Sequence, residues 1–122
     1  MLQDIEKILF TEEQLQKKVT ELGNQIANDY KDKDLLVIGI LKGSNIFMSD
    51  LVRKINIPLQ MDFMDVSSYG NATESTGVVR IIKDLECAID GRDILIVEDI
   101  IDSGLTLRYL KDMLLSRNPR SV

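Results

Sequence analysis

Three carboxylates fall within five residues, at Glu98, Asp99 and Asp102, directly ahead of Ser103-Gly104-Leu105-Thr106. Carboxylates accept hydrogen bonds from sugar hydroxyls and bind hard cations such as Mg²⁺. A small, hydroxyl-bearing turn at the start of a helix does the opposite job, offering free N–H groups and the positive end of the helix dipole to a phosphate. Set side by side, acids and phosphate repel, by about 4 kcal/mol for a pair ~4 Å apart at an effective dielectric near 20. The conflict disappears if sugar hydroxyls or Mg²⁺ lie between them. A ligand with a phosphate at one end, a diol in the middle and a metal-bound pyrophosphate at the other uses every group in the string. Taken one at a time, each acid reads equally well as a solvated loop residue, and Asp or Ser as a cap for the next helix. The whole string in this order favours the ligand.

The elements that must position these residues are visible on either side. Ile94–Val97, ILIV, has the length and β-branched content of a buried strand. After Thr106, the spacing of Leu107, Leu110, Met113 and Leu114 predicts a helix running to about Arg117, where Asn118-Pro119 stops it. Strand, polar loop and helix N-terminus form the anion-binding arrangement of open α/β sheets. The same order occurs earlier. Leu35–Leu41, LLVIGIL, is continuously apolar, as in a strand covered on both faces of a parallel sheet. Leu41-Lys42-Gly43-Ser44 follows, and then a predicted helix over 45–55 with Ile46, Phe47, Leu51 and Val52 inward. Gly43 permits close approach of a ligand, and its amide, that of Ser44 and the Lys42 ammonium could meet an oxyanion. Alone, this tetrapeptide reads as a plain turn, and it lacks Walker A spacing.

The remaining segments supply packing and one long loop. Thr11-Glu12-Glu13-Gln14 reads as a capping box, followed by an apolar stripe of Leu15, Val19, Leu22 and Ile26 on a packing helix. Pro58–Val66 reads as a strand with Pro58 in first position. Ser67–Gly77, SSYGNATESTG, is the most polar and glycine-rich stretch, and Val78–Ile82 looks like the strand returning from it. Such a loop is either a hairpin tip or an active-site lid. Asp90-Gly91 is a turn, and Arg120-Ser121-Val122 begins a further strand.

The 122 residues make a single domain, with the 44% hydrophobic and 29% charged content of a soluble globular protein. The longest apolar run is too short to span a bilayer, and no signal-peptide core precedes it. Cys87 is the one cysteine, which fits a reducing cytoplasmic setting. Histidine is absent, so zinc chemistry is disfavoured and any general base is a carboxylate, lysine, tyrosine or the thiol. A net charge of −5 argues against a nucleic-acid partner.

The string VEDIIDSGLTL resembles the phosphoribosyl-pyrophosphate signature of the type I phosphoribosyltransferases, and within them most resembles the 6-oxopurine enzymes. LKGS resembles the pyrophosphate loop of that family, and FMDVSSYG…STG its mobile catalytic loop. The resemblance implies an α/β fold with a mostly parallel central sheet flanked by helices. It implies a Mg²⁺-dependent enzyme of purine salvage that transfers 5-phosphoribosyl from phosphoribosyl pyrophosphate to hypoxanthine or guanine. Ser103, Gly104, Leu105 and Thr106 then hold the 5′-phosphate. Glu98 and Asp99 bind the ribose hydroxyls and the metal, and Leu41, Lys42, Gly43 and Ser44 meet the pyrophosphate. Asp102 is the base that takes the purine proton. Ser68 and Tyr69 close over the reacting centre, where exclusion of water protects a ribosyl cation. A non-proline cis peptide at Leu41-Lys42 is also implied.

The family's chains run on beyond the point matched by Val122, and the later part carries the purine pocket. The resemblance therefore implies a C-terminally truncated core domain over 1–122, impaired in activity and prone to self-association. The complete family enzyme is a homo-oligomer, dimer or tetramer. The alternatives are a phosphoribosyltransferase for another base and a non-catalytic nucleotide-sensing regulator on the same fold.

Overall fold

The computed structural model describes residues 2–68, 79–101 and 103–122. Strand β1, Leu35–Ile40, is buried at all six positions. A strand of that kind needs neighbours on both edges and cover on both faces. It has them: β1 pairs in parallel with β2 (Gln60–Ser68) on one side and β4 (Asp93–Val97) on the other. β3 (Val79–Lys83) runs antiparallel along the far edge of β2, giving the order β3-β2-β1-β4. The mostly parallel sheet expected from the sequence is present, with one antiparallel edge strand.

The period-2 alternation of β1 divides the core into two. Leu35 and Val37 face α1 (Glu12–Asp29) and α2 (Asn45–Val52), packing with Met48 and Leu51. Leu36, Ile38 and Ile40 face the other way and pack with Met64, Ile94, Leu110 and Leu114, the last two from α3 (Leu105–Leu115). Helices thus cover both faces. Gly39 stands on the α2 side, where an added Cβ would overlap the Met48 sulfur and press the Phe63 ring at 3.1 Å.

Helix α1 begins as its sequence predicts. Thr11 accepts from the Gln14 N–H, and the Gln14 side chain accepts from the Thr11 N–H at 2.8 Å. Val19, Leu22 and Ile26 pack on the core, whereas Leu15, in the helix's first turn, is exposed. Gly23 lets α1 approach the end of α2: a Cβ there would meet the Lys54 carbonyl at 2.5 Å.

Helix α2 departs from the expectation in length and in facing. It ends at Val52, and Ile46 is 71% exposed while Met48 is fully buried. Residues 46 and 48 lie about 200° apart around a helix, so both cannot face the core. The groove under Gly39 takes Met48 and leaves Ile46 outside. Strand β2 begins at Gln60 rather than at Pro58, and continues to Ser68, two residues beyond the expected Val66. Ser121 forms a parallel bridge to Asp93, the start of the further strand read from Arg120–Val122. No described helix is long and apolar enough to cross a membrane.

Charged groups tie down the 84–92 loop, which leads from β3 to β4. Asp62, nearly buried, accepts from the N–H groups of Phe63 and Glu86 at 2.7 and 2.9 Å, with Lys83 Nζ 3.8 Å away. Asp84 takes a two-pronged bond from Arg117 at 2.9 and 2.8 Å. Burial works to raise the Asp62 carboxyl, but the two N–H bonds, Cys87 and Lys83 outweigh it and hold it below its ordinary range. The Arg117 bond holds Asp84 down likewise. A carboxylate with a depressed folded-state pKa stabilises the fold above its unfolded value, and the contribution goes as pH falls through the folded one. Denaturation midpoints are expected to hold steady with respect to these groups from neutral pH to about 5. They should drop below about pH 4, the ordinary Asp range, and Asp62→Asn should flatten that acid limb.

Candidate active site

The two strand–loop–helix units end at the same edge of the sheet, because β1 and β4 are adjacent and parallel. The register pairs Gly39 with Val97. The Leu41–Ser44 turn and the Glu98–Ser103 loop must therefore leave the sheet side by side. Between the residues that follow β4 and the start of α3 lies a cavity of about 360 Å³. Glu98, Asp99, Ser103, Gly104 and Thr106 line it, with Ile40 and Val66 at its base.

Helix α3 starts on Gly104, whose φ of 80° lies in the left-handed region that favours glycine. No side chain caps this helix in the usual way. The Ser103 hydroxyl is 3.4 Å from the Leu105 N–H, and the first regular helical bond runs from Arg108 N–H to the Gly104 carbonyl at 2.9 Å. The early amides of the helix thus open on the cavity beside the Thr106 hydroxyl, the geometry that receives a phosphate. Charge-assisted hydrogen bonds are worth ~1.5–3 kcal/mol. Thr106→Val is accordingly expected to weaken ribose 5-phosphate binding by about tenfold or more. Unchanged affinity in a calorimetric titration would remove Thr106 from the phosphate site.

The acids sit on the other wall. The Asp99 N–H donates to Glu98 Oε1 at 2.9 Å, and the Ile100 N–H to Asp99 Oδ1 at 2.7 Å. Burial pushes the Glu98 carboxyl up, with the Asp99 charge adding to it; the Glu98 side chain in turn holds Asp99 below its usual value. Among the described residues no group of three metal-binding side chains occurs. Two adjacent carboxylates with room for ligand oxygens are nonetheless a donor set that suits Mg²⁺, which completes its shell with water and phosphate.

The Leu41-Lys42 peptide is cis, as the resemblance implied. The loop after it is fixed from both ends: the Leu41 N–H donates to the Met64 carbonyl at 2.8 Å, and the buried Ser44 hydroxyl to the Ile40 carbonyl at 2.6 Å. Ser44 is expected to meet an oxyanion through its amide. Its hydroxyl is committed inward, which leaves the backbone N–H. Lys42 is exposed, and Gly43 faces Asp99, whose Cγ would stand 2.9 Å from a Cβ added there. Tyr69, Asp102 and the side chain of Ser68 lie outside the described residues.

Two further wall residues, Ile100 and Ile101, were read in the sequence only as apolar spacers of the motif. They are 78% and 62% exposed and line the cavity. The available signal was their position: two large apolar residues in a polar loop, on neither a strand nor a helix face.

Comparison with known proteins agrees with this geometry. A model of the phosphoribosyl transferase domain matches residues 7–122. The hypoxanthine-guanine phosphoribosyltransferase of Bacillus subtilis is 57% identical over 122 residues, all of this chain and 68% of that protein. Its counterpart in Mycobacterium tuberculosis is 55% identical, over 98% of this chain and 62% of that protein. The bifunctional protein TilS/HprT of Listeria monocytogenes is 52% identical across the whole chain, which spans 19% of it. The crystal structure of a hypoxanthine phosphoribosyltransferase from Staphylococcus aureus superposes with a TM-score of 0.94 at 50% identity, covering 99% of this chain and 66% of that one. The chain spans about two thirds of the length of these single-function relatives. With a family match over residues 7–122 and relatives 55–57% identical across nearly the whole chain, the chain belongs to the phosphoribosyl transferase family, among its hypoxanthine-guanine members.

Proposed function

We propose that the chain binds 5-phosphoribosyl 1-pyrophosphate across the ends of β1 and β4 and transfers its phosphoribosyl group to hypoxanthine or guanine. The products are IMP or GMP and pyrophosphate, a purine-salvage reaction. The observation that carries this reading is that three chemically different groups meet at one end of the sheet: a turn at 41–44 whose Gly43 abuts Asp99, the acid pair at 98–99, and a helix N-terminus at 103–106 that shares a cavity with those acids.

Each loop suits one part of that substrate. The amides of Ser103–Thr106 and the Thr106 hydroxyl hold the 5′-phosphate. Glu98 and Asp99 accept hydrogen bonds from the ribose hydroxyls, and their charge favours a sugar that becomes cationic at C1′ over the neutral ground state. The amides of Gly43 and Ser44, with Leu41 and Lys42, receive the departing pyrophosphate. Asp102 takes the proton released from the purine, and Ser68 and Tyr69 shield the centre from water. Ile100 and Ile101 offer apolar surface for a planar base. Glu98 and Asp99 are also the residues suited to hold Mg²⁺, which when bound balances the charge of the pyrophosphate. The remaining one third of the relatives' length has no counterpart among these residues, so in this reading the 122 residues supply the phosphoribosyl-pyrophosphate half of the site.

The test is a calorimetric titration with phosphoribosyl pyrophosphate and Mg²⁺, competed by ribose 5-phosphate, alongside an assay for IMP and GMP formation. Binding competed by ribose 5-phosphate, and lost without the metal, is expected. Absence of binding would overturn the reading. Product formed from orotate or adenine in preference to a 6-oxopurine would move it to another member of the family.

A further inference from the structure

Gly43 is a glycine for reasons of space. Its φ lies outside the left-handed region where Gly91 and Gly104 are found, so its backbone conformation is open to any residue. An added Cβ, however, would overlap the Asp99 Oδ2 atom and stand 2.9 Å from Asp99 Cγ and 3.4 Å from Oδ1. All three of its nearest neighbours belong to that one carboxylate. An exposed acid therefore lies flat on the Cα of the loop that the proposed function assigns to pyrophosphate.

The loop cannot easily retreat. The Leu41 N–H is bonded to Met64 and the Ser44 hydroxyl to Ile40, which fasten it to the sheet before and after Gly43. Asp99 is the movable partner: its side chain is exposed and held by a bond from the Ile100 N–H to Oδ1. An anion that approaches the Gly43 amide from the cavity side has to share this face with a carboxylate. Two anions on one glycine repel, and the space is that of a single group.

We propose that the Cα face of Gly43 is a seat for which the Asp99 carboxylate and an entering pyrophosphate compete. Asp99 is then a positioning residue that gates the pyrophosphate loop, and Gly43 is the residue that sets how near the two loops come. This rests on the reading of the 41–44 turn as the pyrophosphate site, and adds that the acid pair opposes metal-free anion entry there.

The experiment titrates the 122-residue chain with inorganic pyrophosphate in the presence of EDTA, and separately with ribose 5-phosphate. It uses the unsubstituted chain, Asp99→Ala and Gly43→Ala, each checked for folding by circular dichroism. Removing the Asp99 charge should tighten metal-free pyrophosphate binding by about tenfold or more, as expected for loss of a close like-charge contact. Gly43→Ala puts a methyl group on the same seat and should weaken pyrophosphate binding to a similar degree. Ribose 5-phosphate affinity should stay unchanged in Gly43→Ala, since its phosphate binds at the α3 terminus, and should fall in Asp99→Ala, which loses an acceptor for the ribose hydroxyls. A merely structural role for Asp99 predicts weaker binding, never tighter. Equal or weaker pyrophosphate binding by folded Asp99→Ala, with ribose 5-phosphate still bound by the unsubstituted chain, overturns the competition and leaves the proposed function standing. No binding of either ligand by the unsubstituted chain overturns both. If Gly43→Ala fails to fold, Asp99→Ala alone decides.

Discussion

Asp102→Asn is expected to lower turnover by about 10²–10⁴-fold, the usual range for a general base, while leaving affinity for phosphoribosyl pyrophosphate essentially unchanged. Asparagine keeps the size of aspartate and an oxygen acceptor, but it cannot hold the purine proton. The chain has no histidine to replace it. Glu98 and Asp99 are the nearby carboxylates in sequence, and both are tied to the backbone of the loop and to each other. Steady-state formation of IMP, set beside the binding isotherm for phosphoribosyl pyrophosphate, separates the two effects. A loss of affinity as large as the loss of rate would make Asp102 a binding residue and remove the base assignment.

The second large effect is on stability. Ile38→Ala should destabilise the fold by ~2–5 kcal/mol, the range for deleting buried aliphatic atoms where neighbours cannot close the gap. Ile38 is fully buried in the central strand, between Asp62 of β2 and Ile96 of β4 in register, and it packs in the core beneath α3. Parallel pairing on both sides prevents the backbone from moving inward. For a domain whose total stability is about 5–15 kcal/mol this is a large fraction, and urea midpoints will read it. A change below about 0.5 kcal/mol, the level of surface substitutions, would mean that β1 is not the centre of the core.

The parts of this molecule that were legible in its sequence are those that local chemistry decides. LLVIGIL and ILIV read as buried strands; β1 is buried at all six positions, and β4 at Ile94 and Val97, with Leu95 and Ile96 half-buried. The Thr11–Gln14 capping box works within four residues and forms as read. The acidic string and the Ser103–Thr106 turn were recognisable because their chemistry is contiguous, and the fold brings them around one cavity. What stayed hidden depends on residues far apart in the chain. Met48 rather than Ile46 faces inward because Gly39, nine residues earlier on β1, leaves a hollow for it. Nothing local announces that the Ser44 hydroxyl is buried and bonded to the Ile40 carbonyl. Asp62 lies within the segment read as a strand, and its partners Lys83, Glu86 and Cys87 stand more than twenty residues away. The length of β2 was underestimated because Ser67 and Ser68 are polar, yet their backbones pair with Arg80 and Val79.

Strand β4 bears the acids at its end, and it is laced unequally. Along one flank it pairs with β1 throughout; on the other, among the described residues, it meets only Ser121, through the bridge at Asp93. Alternate amides of a strand point to opposite flanks, and that of Ile94 donates outward to Ser121 at 2.9 Å. The Ile96 amide must therefore also point outward, past the reach of that bridge. In deuterated water the strand should show a sawtooth of exchange, with Ile96 labelled early and its neighbours Leu95 and Val97 late. The platform under Glu98 and Asp99 would then loosen first from its outer side, one amide at a time, while the inner side keeps its register.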